Sequence, residues 1–231
     1  MFAHFVARDD DEIDLATAAL LVAESEYDHL NFAHYLSRIE EFATAAARRI
    51  ATGRHARLRA LNETLFGVLG FRGNFDDYDD PRNSFLNEVI DRRLGIPISL
   101  SILYISVGRK LGMELEGLSF PGHFLVRYTE DDSVFVLDPF HMGMSLSSEE
   151  MRARAEKALG PGTELSPRFL KPATAKQIIH RMLTNLAGIY RRDGDTIRQL
   201  SVVERLAILE PDDPKLKHEL DRLRKRAQDL N

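Results

Sequence analysis

Arg92-Arg93-Leu94-Gly95-Ile96-Pro97-Ile98-Ser99-Leu100-Ser101, followed by Pro121-Gly122-His123-Phe124-Leu125-Val126-Arg127-Tyr128 and Val134-Phe135-Val136-Leu137-Asp138-Pro139-Phe140, decides the fold. Pro97 has the fixed φ and missing N–H that suit a first helical position, and apolar residues at helical spacing continue to Leu111, before Gly112. The spacing therefore predicts a helix that starts abruptly at Pro97. The two later stretches flank the polar residues Thr129 to Asp132 and predict a β-hairpin. With those residues as its loop, Tyr128 faces Ser133, Val126 faces Phe135, Phe124 faces Leu137 and His123 faces Asp138. Directly opposed residues have Cα atoms about 4.5 to 5.5 Å apart, which brings the imidazole within hydrogen-bond reach of the carboxylate. A slip of one residue would send Asp138 to the other face.

A helix N-terminus beside a strand-borne His–Asp pair is the skeleton of a papain-like or transglutaminase-like thiol site. In such sites a cysteine stands at the helix start, where the helix dipole and the histidine favour thiolate, and the acidic residue orients the imidazole. From about Phe71 to Gly143 the chain resembles the bacterial SirB-type proteins, a transglutaminase-like family with tetratricopeptide-like helices at the C-terminus. The residues that carry the resemblance are Gly73-Asn74, Asp80-Pro81-Arg82-Asn83-Ser84, Arg93-Leu94-Gly95-Ile96-Pro97-Ile98, Pro121-Gly122-His123-Phe124-Leu125-Val126-Arg127 and Leu137-Asp138-Pro139-Phe140. It implies an α+β fold with a papain/transglutaminase-like core, a helix packed on a small antiparallel sheet. On this reading residues 1–83 form an N-terminal helical region packed on the core, 84–173 the core, and 174–231 a tetratricopeptide-like helical region. Met142 departs from the pattern, standing where a small residue, most often glycine, is expected after Asp-Pro-Phe.

The resemblance also exposes a missing group. Transglutaminase-like enzymes carry Gly-x-Cys at the helix start; here the reading is Gly95-Ile96-Pro97, so Pro97 falls on the cysteine, and the chain contains no cysteine at all. Ser99 lies two residues on, about 200° round the helix from that position. Ser101 lies on roughly the same face but about 6 Å further along the axis. A nucleophile needs its base at about 2.6 to 3.2 Å, so neither serine inherits the cysteine's place, and no Gly-x-Ser-x-Gly elbow positions them.

A length of 231 residues suffices for a substantial core, and 44% hydrophobic and 29% charged residues are ordinary for a globular protein. A net charge of −5 argues against a general nucleic-acid binder. No apolar run approaches the length that spans a bilayer, and Met1-Phe2-Ala3-His4-Phe5 lacks the features of a signal peptide. A cytoplasmic protein without membrane or nucleic-acid partners is expected.

Residues 14 to 69 show helical periodicity, with stripes at Leu15, Ala18, Ala19 and Val22, at Tyr35, Leu36, Ile39, Phe42, Ala43 and Ala46, and at Leu58, Leu61, Leu65 and Leu69. The acidic run Asp9 to Glu12 reads as a solvated helix entry. The polar connection Phe71 to Ser84 reads either as one wall of the cleft or as a strap held by Phe71, Phe75 and Tyr78 in apolar pockets, with a helix beginning near Asn83 or Ser84. His141, three residues after Asp138, reads as a surface histidine; no second carboxylate or thiolate at ligand spacing accompanies His123, Asp138 and His141, so neither a metal nor a cofactor is expected. Ser147-Ser148-Glu149-Glu150 is a capping pattern for a helix to Leu159, and Pro167 and Pro172 mark a connector up to Ala173. Helices are predicted from Ala175 to Arg192, Asp195 to Leu209 and Pro214 to Leu230. The basic residues of the last, Lys215, Lys217, Arg222, Arg224, Lys225 and Arg226, suit a solvated capping face.

Two functions fit these residues. One is a non-catalytic transglutaminase-like module that binds a protein or peptide. The other is a hydrolase or acyl-transfer enzyme that keeps the His123–Asp138 dyad and recruits Ser99, Ser101 or a water. A third possibility is that the pair only fixes the hairpin.

Overall fold

The computed structural model describes residues 1–229. Helices α1 (Phe2–Val6), α2 (Leu15–Ala23), α3 (Phe32–Ala47) and α4 (Ala56–Asn62) precede a short strand β1 (Arg72–Gly73). Then come α5 (Leu86–Arg92), β2 (Leu94–Gly95), α6 (Pro97–Lys110), β3 (Glu114–Leu118), β4 (Leu125–Glu130), β5 (Ser133–Asp138), β6 (Met144–Ser145) and α7 (Ser148–Leu159). The chain closes with α8 (Ala175–Asp193), α9 (Thr196–Leu209) and α10 (Pro214–Gln228). Leu230, the predicted end of the last helix, lies outside the described residues.

Helix α6 starts at Pro97, and every residue from Pro97 to Gly108 is buried. A helix buried all round belongs to the centre of a fold, and α6 packs against α3 on one side and β3 and β4 on another. Its sheet is antiparallel, in the order β3-β4-β5-β6. The α+β core with a small antiparallel sheet between helical regions is thus present. Beside it lies a two-residue parallel pair that periodicity did not suggest, with Arg72 opposite Leu94 and Gly73 opposite Gly95. Gly73 has no room for a side chain, because a Cβ there would sit 2.6 Å from the Phe140 ring.

The hairpin register differs from the expected one by two residues. Glu130 faces Ser133, Tyr128 faces Phe135 and Val126 faces Leu137. The loop is Asp131-Asp132 rather than four residues, because Asp131 adopts a left-handed conformation (φ 50°) that aspartate tolerates and a tight hairpin turn requires. A shift of two keeps every side chain on its expected face.

Other departures are local. Helix α2 is buried on nearly every side rather than amphipathic. The third N-terminal stripe is α4 followed by a π-helical turn from Glu63 to Val68. Helix α5 begins at Leu86, after a 3₁₀ turn at Pro81–Asn83. Asp10, from the acidic run, is more than a solvated entry: its carboxylate accepts the backbone N–H groups of Ala175 and Lys176 and so caps α8. One continuous cluster of buried side chains runs from Phe2 through α6 to Leu206, and a smaller one joins α9 to α10 through Val203, Leu220 and Leu223. Among the described residues no helix is long and apolar enough to cross a membrane.

Candidate functional site

His123 stands in the turn before β4, where its N–H donates to Phe120 O and Gly122 takes a φ of 65°. Asp138 ends β5 and is fully buried. His123 Nε2 lies 2.9 Å from Asp138 Oδ1. The pair therefore meets although the two residues are not opposed in the ladder; the turn delivers the imidazole from beyond the end of β4. When the imidazole is neutral and Nε2 donates to the carboxylate, Nδ1 of His123 carries the lone pair.

Asp138 serves more than one histidine. His141 Nδ1 lies 2.8 Å from its Oδ2, and Arg154 from α7 reaches the same oxygen at 3.0 Å. The N–H groups of Phe140 and His141 donate to Oδ1. His141, read from the sequence as a surface histidine, is thus tied into the cluster. Burial pushes the Asp138 carboxyl up, but the His123 hydrogen bond and the neighbouring imidazoles outweigh it and hold the carboxyl below the usual range. The ligand-type atoms of His123, Asp138 and His141 lie within 4.8 Å of one another. The Arg154 cation and two N–H groups already occupy the carboxylate, which makes the group a hydrogen-bonded knot and an unfavourable cradle for a further cation.

Pro97, His123, Tyr78, Arg181 and Asn185 line a cavity of about 50 Å³. Neither serine lines it. Ser99 is buried, donates to Asn83 O and accepts the N–H of Ile96, completing the helix start from its third position. Ser101 is fully buried, and its hydroxyl has no hydrogen-bond partner among the described residues. The connection before α5 forms a wall of the cavity through Tyr78. Only Phe71 of its aromatics is buried; Phe75 is 64% exposed and Tyr78 44%, so the strap held by three apolar pockets is not what forms. The wall is held instead by polar contacts. Asn74 Nδ2 donates to Asn83 Oδ1, Asn83 Nδ2 donates to Asp77 O, and Asp80 accepts from Arg82 and Arg92.

Two participants were missed from the sequence. Arg154 gives no local signal, since its approach to Asp138 depends on how α7 packs. Arg181 does give one: with Ile178 and Asn185 it follows the inward-facing spacing of α8, where a charge is out of place. Its guanidinium donates to Ser119 Oγ, Phe120 O and His123 O, pinning the His123 turn to α8.

Comparison with known proteins agrees with this geometry. The model of the transglutaminase-like superfamily matches residues 33–184. A UPF0162 protein of Xylella fastidiosa (strain Temecula1) is 40% identical over 212 residues, which are 89% of this chain and 75% of that one. F-box only protein 21 of Mus musculus is 33% identical over 146 residues, 59% of this chain and 22% of that protein. A crystal structure of menin aligns with 97% of this chain and 61% of that one at a TM-score of 0.49 and 13% identity, a likeness too loose to bear on function. A central helix on an antiparallel sheet, a His–Asp pair beside the helix start and a family match over most of the chain lead to one conclusion: the protein belongs to the transglutaminase-like superfamily, without that superfamily's cysteine.

Proposed function

We propose that the protein is a non-catalytic transglutaminase-like module of SirB type, whose cleft and C-terminal helices hold a protein or peptide. The observation that carries this reading is Pro97 at the helix start beside His123, in a chain without cysteine. Proline offers no group that can ionise or attack, so His123 faces no nucleophile at the expected place. Ser99 is engaged with backbone groups, and Ser101 is sealed in the core.

In this proposal residues 1–83 support a core at 84–173, and 174–231 form a tetratricopeptide-like unit. Support for the last comes from the helix pair α8 and α9, turned at Gly194 with φ 72° and followed by Pro211, and from α10 packing on α9. The absence of cysteine suits a cytoplasmic setting.

One observation favours the second reading, a hydrolase or acyl-transfer enzyme: the His123–Asp138 hydrogen bond leaves Nδ1 of His123 as a base. A fluorophosphonate probe separates the two. The natural protein is expected to remain unlabelled, whereas labelling at Ser99 or Ser101 that disappears in His123→Ala would establish an enzyme.

A further inference from the structure

A cavity of about 710 Å³ lies apart from the His123–Asp138 pair. It runs between the connector after α7 and the first turns of α8, and its lining includes Arg168, Lys171, Lys176, His180, Arg181 and Glu210. In a protein with a net charge of −5, four permanent cations here face one carboxylate. That carboxylate, Glu210, lies 3.4 Å from His180. Among the described residues the side-chain cations of Arg168, Lys171 and Lys176 form no ion pair, although the backbone N–H of Lys176 donates to Asp10; Arg168 instead lies over the Phe169 ring. Arg181 is fixed by three neutral oxygens, so its charge is held in place without being cancelled. Cations gathered in one concavity repel one another, and the fold gains nothing from the arrangement unless an anion enters.

The spacing points to the anion's form. Lys176 and Arg181 are five residues apart on α8, about 7.5 Å along the axis and about 140° round it, and both line the groove. Alternate residues of an extended chain lie on one side, about 6.6 Å apart. Arg168 and Lys171 come from the connector and Lys176 and Arg181 from α8, so both segments that border the groove contribute charge. Pro172, Ala173 and Leu209 supply apolar surface between them, and no Phe, Tyr or Trp lines the groove to stack a base.

We infer that this groove binds an extended acidic peptide segment of a partner protein, with carboxylates at alternating positions against Lys171, Lys176 and Arg181. The inference rests on the binding role proposed above and names the chemistry of the partner.

The test uses the full chain and a fluorescein-labelled peptide of alternating Glu and Ala, followed by fluorescence anisotropy in low salt. Saturable binding is expected, weakened at least about tenfold in the Lys171→Glu/Lys176→Glu double variant. A Lys215→Glu/Arg222→Glu variant, with the same change in net charge on α10, is expected to bind within about twofold of the natural protein. Circular dichroism on both variants separates lost binding from lost folding. Absence of saturable binding, or equal weakening by both variants, would overturn the inference. So would a single-stranded oligonucleotide that binds more tightly through the same lysines, or inorganic phosphate that displaces the peptide at equal concentration. Fluorophosphonate labelling would overturn the non-catalytic reading without touching peptide affinity, so the two failures are distinct.

Discussion

Two cavities share Arg181 as a wall. The one lined by Pro97 and His123 measures about 50 Å³, room for a few waters. The other measures about 710 Å³ and is lined by Arg168, Lys171 and Lys176, whose side chains form no ion pair among the described residues. The first keeps the relative placement of a catalytic base and its orienting carboxylate, but has neither a nucleophile nor space for a substrate. The second has space and charge, and its own His180–Glu210 contact, at 3.4 Å, lies apart from the helix start at Pro97. Catalytic geometry and recognition capacity are therefore separable in this fold: a His–Asp pair can persist because it knots a turn to a strand, while an open groove persists only at a cost in self-repulsion that a ligand relieves.

If the small cavity is a structural knot, its carboxylate should matter most. Asp138→Asn leaves Arg154 and two imidazoles without their anion, and is expected to lose about 3 kcal/mol of stability at pH 7, measured by urea unfolding. The folded carboxyl titrates below its ordinary range, so this stabilisation is complete above the unfolded value of about 3.9 and disappears as pH falls through the folded value. The gap between the natural protein and Asp138→Asn should hold at pH 5 and narrow only below about pH 4. A variant as stable as the natural protein at pH 7 would show that the knot is not what preserves the pair.

The second prediction returns the missing group. Pro97→Cys places a thiol at a helix N-terminus beside His123, where thiolate is favoured. Its alkylation by iodoacetamide at pH 7 is expected to run about tenfold faster than in Pro97→Cys/His123→Ala, with the advantage fading once pH exceeds the ordinary thiol range near 8.5. Equal rates would mean that the small cavity has lost the placement of its base as well as its nucleophile.

The smallest effect concerns the loop after Asp138. Met142 takes a left-handed conformation (φ 57°) and is 65% exposed, so its side chain adds strain and little packing. Glycine, the residue expected there by resemblance, removes the strain. Met142→Gly should raise stability by about 0.5 to 1 kcal/mol in thermal unfolding, without altering peptide binding in the groove. A loss of stability would mean that the methionine side chain supports the rim of the small cavity.

What could be read from the residues alone was governed by short-range rules. Pro97 starts α6, Ser147 and Glu150 cap α7 reciprocally, and Gly194 turns α8 into α9 with a left-handed backbone. Each is set by dihedral preference or by a hydrogen bond spanning three or four residues, which any reader of the chain can see. The closeness of His123 and Asp138 was legible because both lie at the same end of the β4–β5 hairpin, although it is the turn before β4, and not strand alternation, that delivers the imidazole. The register itself was not legible, because it turned on whether Asp131 would accept a left-handed conformation. Tertiary structure alone decided that Asp10 caps a helix 165 residues later, that Arg154 closes on Asp138 and that Arg181 joins the two cavities. Those contacts carry no sequence period, because they form only after helices have packed and left a buried charge or an orphan N–H in need of a partner.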